Sequence, residues 1–198
     1  ESPEKQHPPI RSFVLRQGRL TPSQEKALDN HWQAYGIDFS ENMLDFDSIF
    51  GNKAPITLEI GFGNGESLLE QAINNPERNF LGIEVHTPGV GHLIHEAQRA
   101  GINNLHVIRH DAIEVLDKQI PENALDRVQL FFPDPWHKKR HTKRRILKSD
   151  FVETIRKHLR IGGHFHMATD WENYADHMLE TMNQHPGFFN TAAEANFV

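Results

Sequence analysis

The sequence predicts an α/β protein with a mostly parallel central sheet and helices on both faces. Three observations carry this expectation. From residue 56 onward, apolar runs of strand length alternate with stretches of helical pattern. The first run ends in glycines at alternate positions, Gly61, Gly63 and Gly65, and a helical pattern opens at Glu66. The residues closing successive runs are chemically active, as expected where parallel strands deliver side chains to a crevice at their carboxyl ends.

Taken in order, residues 1–20 read as a flexible basic arm. The segment contains prolines, is irregular, and carries Arg11, Arg16 and Arg19 along its length. It is either a second phosphate contact or an uninvolved tail. Residues 21–198 form a single domain. Thr21 suits a helix N-cap, Pro22 the first helical position, and Gln24 completes a capping box, so a helix runs to about Tyr35, before Gly36. Strands are expected over 56–60, 79–85, 105–109, 127–132 and 164–168. Helices are expected over 66–74, 88–100, 112–118, 150–159 and 172–183. No internal repeat or low-complexity tract interrupts the pattern.

At 198 residues, 37% hydrophobic and 24% charged, the chain describes one globular domain with a sizeable core. It has no cysteine, which excludes disulfides, thiolate metal sites and a cysteine nucleophile. No apolar run approaches bilayer length and no signal pattern opens the chain, so no membrane partner is expected and the cytoplasm is the expected location. The formal net charge is −6, yet it is unevenly spread. Lys138, Lys139, Arg140, Lys143, Arg144, Arg145 and Lys148 fall within eleven positions, so that residues 134–150 carry +5 and the remainder −11. Such a segment can grip phosphate on an otherwise acidic protein, or can be a solvated face.

The glycine turn discriminates between cofactors. A dinucleotide fingerprint needs G-x-G-x-x-G, but here Glu66 stands at the last glycine's place and Gly65 arrives one residue early. The stretch Glu59-Ile60-Gly61-Phe62-Gly63-Asn64-Gly65 resembles the first motif of class I S-adenosylmethionine-dependent methyltransferases. Glycines allow close backbone approach to the cofactor, and the Glu59 carboxylate suits a ligand with positive charge and no pyrophosphate. Glu84 closes the second strand, where an acidic side chain accepts from ribose hydroxyls. Asp111 follows the third strand and is placed either to accept from an adenine amino group or to cap the next helix. The fourth strand runs into Phe132-Pro133-Asp134-Pro135-Trp136, a loop stiffened by two prolines. It resembles the D-P-P-aromatic motif of amino-methylating nucleic-acid methyltransferases, with Trp136 at the second proline's place. Joined to the basic run, it reads as a base pocket beside a phosphate clamp.

These motifs, with Gly82-Ile83-Glu84-Val85-His86 and Ala168-Thr169-Asp170-Trp171, resemble those of the bacterial tRNA (guanine-N7)-methyltransferases. The resemblance runs from Arg11 onward. It implies a Rossmann-like class I methyltransferase fold and methyl transfer from S-adenosylmethionine to guanine N7 at position 46 of the tRNA variable loop. S-adenosylhomocysteine would be the product, with no metal. It also implies cofactor contacts at Glu59, Gly61, Gly63, Gly65, Glu84, Asp111 and Asp134, with Asp134 in the active site. Substrate contacts would come from Lys138 and Asp170, and RNA contacts from Arg140, His141, Thr142, Lys143, Arg144 and Arg145. The family continues through a T-x-[FY]-E motif and a final strand that this chain lacks, so the domain is expected to be C-terminally incomplete.

Fourteen histidines, including His92 and His95 on a helical pattern and His164 and His166 on a strand, raise a metal reading, but no third ligand stands at a suitable spacing. Trp32 is expected in the core and Trp171 in the pocket. Two other functions compete: a class I methyltransferase with a small-molecule or protein acceptor, which leaves the basic run idle, and a non-catalytic RNA-binding protein, against which the intact Glu59, Glu84 and Asp111 argue. Monomer and homodimer are equally compatible with the sequence.

Overall fold

The computed structural model describes residues 11–13 and 18–192, with Lys139 described by its backbone alone. Arg16, the remainder of the arm and residues 193–198 lie outside the described residues. The chain runs through α1 (Pro22–Tyr35), β1 (Gly36–Ile37), α2 (Phe46–Phe50), β2 (Ile56–Ile60), α3 (Glu66–Asn74), β3 (Asn79–Ile83) and α4 (Thr87–Ala100). It continues through β4 (Leu105–Ile108), α5 (Ala112–Lys118), β5 (Leu125–Phe131), a 3-10 helix (Lys139–Arg144), α6 (Ser149–His158), β6 (Leu159–Ala168) and α7 (Glu172–Asn183).

The six strands form one sheet in the order β1-β4-β3-β2-β5-β6, with every pairing parallel. From β2 the chain steps outward to β3 and β4, then returns to lay β5 on the other side of β2. Strand order therefore reverses between β2 and β5, which is where α/β sheets open a ligand crevice.

Alternation along the strands divides the core into two layers. Leu68, Ala72, Val90, Leu93, Ile94 and Ala97 from α3 and α4, with Ala27 and Tyr35 from α1, cover Phe80, Leu105 and Val107. On the opposite face Ile56, Leu58, Ile60, Leu81 and Ile83 pack under Val115, Leu116, Phe151, Val152, Ile155, Tyr174 and Met178 from α5, α6 and α7. Each such aliphatic side chain contributes roughly 1.5–3 kcal/mol by leaving water. Both β2 and β3 are buried throughout, which is why they read as unbroken apolar runs.

The capping box at α1 forms as the sequence predicts: Gln24 N donates to Thr21 Oγ1 at 3.3 Å and Thr21 N to Gln24 Oε1 at 2.9 Å. Three departures have local causes. β3 stops at Ile83, before the expected end, because the Glu84 carboxylate accepts from Val85 N at 2.7 Å and His86 N at 3.0 Å, drawing those donors off the ladder. β6 starts at Leu159, ahead of the expected 164, because a register shift opposite Leu125 and Arg127 absorbs extra residues at left-handed Gly162 (φ 82°). α2 was not expected, although Asp45 caps it by accepting from Ser48 N at 3.3 Å and Gly51 ends it at φ 69°.

Candidate active site

Adjacent strands deliver the predicted residues to one edge of the sheet. Glu59 is the penultimate residue of β2, Glu84 follows β3, Asp111 follows β4 and Asp134 follows β5. The loop after β2 turns through Gly61 (φ 70°), Gly63 (φ 60°) and Gly65 (φ 80°), a left-handed conformation that side chains rarely adopt. A Cβ added at Gly61 or Gly63 would meet nothing within 4 Å, so both face open space. At Gly65 it would lie 2.8 Å from Leu93, so that glycine serves close packing of α4. Glu84 ties the cradle to β3, since its Oε2 accepts from Gly63 N at 2.8 Å.

Glu59 is 4% exposed, and its buried Oε2 has no hydrogen-bond partner. Burial, reinforced by the neighbouring Glu84 charge, pushes its carboxyl up to about 7. Asp111 caps α5 by accepting from Ile113 N at 3.0 Å, and it also lines a cleft of about 840 Å³. That cleft is bounded by Val85, Thr87, Arg109 and His110 below and by Arg11, Phe13 and Arg19 of the arm above. It takes in Asp111 but not Glu59, Glu84 or Asp134.

S-adenosylmethionine fits these residues on two grounds. The glycine backbone leaves open space where a ligand would rest, and an unpartnered buried carboxylate oxygen awaits a donor or cation. Glu59 and Glu84 would hold its charged and hydroxyl groups, and Asp111 its base. Among the described residues no three His, Cys, Asp or Glu side chains gather as a metal site, and no helix is long and apolar enough to cross a membrane.

The β5 loop is held in an uncommon shape. Phe132 (φ 48°) and Trp136 (φ 44°) both take left-handed backbone conformations on either side of Pro133-Asp134-Pro135. For non-glycine residues each costs on the order of 1–3 kcal/mol, so surrounding contacts must hold them. Phe132 N donates to Ala168 O on β6 at 2.8 Å, and Trp136 Nε1 donates to Ser12 O of the arm at 3.1 Å. Arg144 lies over the Trp136 ring, 4.9 Å from its centre. Asp134 reaches solvent, yet partial burial still pushes its carboxyl above the usual carboxylate range. Asp170 is exposed at the end of neighbouring β6, and the His137 and Trp171 rings, 5.7 Å apart, join the two strand ends.

The basic segment divides. Lys138, Arg140 and Lys143 are exposed, and His141 and Thr142 are half-buried beside them. Partial burial, followed by the surrounding cationic side chains, lowers the His141 pKa. Arg144 is half-buried on Trp136, and Arg145 is only 5% exposed, turned away from this face. Burial therefore removes Arg145 from the surface that could meet phosphate. Trp32 is half-buried against the α1–α4 layer, with Nε1 donating to Asp38 at 2.9 Å.

Sequence reasoning missed two glycines that shape the cradle. At Gly82 a Cβ would sit 2.6 Å from Phe62, and at Gly89 it would run into the Gly63 carbonyl oxygen. Gly89 and Gly91 inside a helical pattern were a legible signal, because glycine there costs helix stability without a packing reason. Gly89→Ala is therefore expected to displace the Gly63 loop and weaken S-adenosylmethionine binding about tenfold or more, through overpacking of 1–3 kcal/mol. Calorimetric titration checks this; wild-type affinity would show that the loop adjusts freely.

Residues 53–197 match the model of a family described as "Putative methyltransferase". Solved structures share the fold at low identity. The precorrin-6y C5,15-methyltransferase from Geobacter metallireducens GS-15 has a TM-score of 0.53 at 15% identity, covering 67% of this chain and 62% of that one. The 16S rRNA methyltransferase KamB has a TM-score of 0.51 at 14% identity, covering 74% and 67%. Curated relatives are far nearer in sequence. The tRNA (guanine-N(7)-)-methyltransferase of Aeromonas hydrophila subsp. hydrophila is 60% identical over 189 residues, 96% of this chain and 80% of the relative. That of Photobacterium profundum is 58% identical over 189 residues, 96% and 77%. With the glycine cradle, the strand-end carboxylates and the Pro-Asp-Pro loop all in place, the chain belongs to the tRNA (guanine-N(7)-)-methyltransferase family.

Proposed function

We propose that this protein transfers the methyl group of S-adenosylmethionine to N7 of a guanine in tRNA, at position 46 of the variable loop, in the cytoplasm. The carrying observation is the fixed Pro133-Asp134-Pro135 loop at the switch point, set between the Gly61–Gly63 cradle and the exposed Lys138, Arg140 and Lys143. When bound, S-adenosylmethionine supplies a methyl group on a positively charged sulfur. Guanine N7 already has an in-plane lone pair, so no residue of this chain need remove a proton from it. The protein's work is positioning and charge stabilisation.

Asp134 orients the guanine edge by accepting from its N–H groups, and its charge favours the base as it becomes cationic. Asp170 at the neighbouring strand end supports the same charge, and Lys138 holds the substrate beside the loop. Lys138, Arg140 and Lys143 contact phosphate from the exposed face, while His141 and Arg144 shape its floor.

The test uses labelled S-adenosylmethionine with tRNA lacking 7-methylguanosine, followed by borohydride and aniline cleavage. Cleavage at the variable-loop guanine is expected. Neutralising Lys138, Arg140 and Lys143 to glutamine is expected to flatten the salt dependence of tRNA binding by about 0.7–0.9 in log–log slope per lost phosphate contact. Efficient labelling of a small molecule or protein with none of tRNA would favour the other acceptor classes. Binding of tRNA without any cofactor affinity would favour a non-catalytic role.

A further inference from the structure

We propose that Arg145 is a positioning residue that clamps the Asp134 loop from the protein side, rather than a contact to RNA phosphate. This rests on the reading that Asp134 faces the guanine. Arg145 and Arg144 are neighbours in sequence but turn in different directions. Arg144 stacks on Trp136, whereas Arg145 is 5% exposed and spends its donors internally. Its Nε donates to Pro135 O at 2.8 Å, and its Nη2 donates to Asn173 Oδ1 on α7 at 2.8 Å. Its guanidinium carbon lies 4.6 Å from the centre of the Tyr174 ring, which is fully buried against the core.

One planar fork therefore joins the residue next to Asp134 to the first turn of α7 and to the core. The loop needs such a tie. Pro133 and Pro135 have no N–H, so the segment has few donors of its own, and it begins and ends on the left-handed residues Phe132 and Trp136. Phe132 N fixes its start to β6, and the Pro135 carbonyl is its acceptor at the far end. Lysine would keep the charge but offers a point donor that cannot span Pro135 O and Asn173 Oδ1 in one plane.

The experiment compares wild type, Arg145→Lys, the charge-removing Arg145→Gln and Asn173→Ala in single-turnover methyl transfer at saturating S-adenosylmethionine and tRNA. The affinity for tRNA is followed across salt, and the cofactor affinity is measured alongside. Arg145→Lys is expected to lower the rate about 100-fold, as a displaced reactive geometry does. Both affinities stay within about threefold of wild type, and the salt slope is unchanged even in Arg145→Gln, which removes the charge, since no phosphate contact is lost. Asn173→Ala, at an exposed position, is expected to lower the rate about three- to tenfold in the same way, by loosening one arm of the clamp.

A wild-type rate in Arg145→Lys overturns the clamp, and a salt slope reduced by about 0.7–0.9 in the charge-removing Arg145→Gln makes Arg145 a phosphate contact. If Arg145→Lys fails to fold, Asn173→Ala decides: a wild-type rate overturns the clamp, and a reduced rate with unchanged slope supports it. If wild type itself transfers no methyl to tRNA, the guanine reading fails and the clamp fails with it. A working wild type with unaffected variants removes the clamp alone.

Discussion

Asp134→Asn lowers the single-turnover rate of methyl transfer to tRNA by about 10²–10³-fold at saturating cofactor, the usual loss when one preorganised electrostatic partner is removed. The side chain is nearly isosteric and reaches solvent, so the fold and the loop survive the change. What is lost is the charge. The base beside Asp134 gains a positive charge in the reaction, and a neutral amide neither stabilises it nor presents two acceptor oxygens to its edge. Partial burial strengthens that interaction, as the raised Asp134 pKa indicates. Because N7 needs no deprotonation, the loss should be nearly constant with pH above the range where Asp134 titrates. Rapid-quench measurements with wild type and variant check both points. A full rate in Asp134→Asn would remove Asp134 from the active site.

Glu59→Gln abolishes the pH dependence of cofactor binding, with a sign set by burial. The Glu59 carboxyl is raised from 4.5 to about 7, chiefly by desolvation and then by Glu84. Glu84 keeps its own charge engaged with the Gly63, Val85 and His86 amides. Between these two pH values the folded protein holds a proton that the unfolded chain has released. The Glu59 contribution to stability is therefore fully present below pH 4.5 and is lost as pH rises through about 7. The contribution lost is on the order of 3 kcal/mol, from 1.4 kcal/mol per unit.

A cationic ligand reverses this by favouring the carboxylate. Wild-type affinity for S-adenosylmethionine should rise by up to about tenfold per pH unit from 5 to 7, with proton release. Glu59→Gln should bind weakly at every pH and lack the declining limb of the unliganded stability curve. Calorimetry in buffers of different ionisation enthalpy, with thermal melts of the unliganded protein, checks each part. Parallel pH curves for wild type and Glu59→Gln would show that the Glu59 proton is not linked to binding.

Much of this molecule is legible in local chemistry. The strand over 56–60, the helices over 66–74, 112–118 and 172–183, and the capping box at Thr21 depend on apolar period and near-neighbour hydrogen bonds, which the sequence states directly. The order Glu59, Glu84, Asp111, Asp134 follows from the same pattern, because each residue falls at or just past a parallel strand's carboxyl end. Less legible were the ends set by one side chain's choice of partner, such as the Glu84 carboxylate that stops β3.

By itself, then, the sequence determined the α/β alternation, the cradle glycines and the carboxylates, since period, backbone freedom and strand-end position are local properties. Only the tertiary structure decided what long-range contact controls. It turned Arg145 inward and Arg144 onto Trp136 within one basic run, it set Gly89 against the Gly63 carbonyl, and it left Glu59 buried with an unpartnered oxygen. Charge and spacing are the same for an arginine on the surface and one beneath a loop. Desolvation and the partners brought from α7, β6 and the arm tell them apart, and those exist only once the chain has folded.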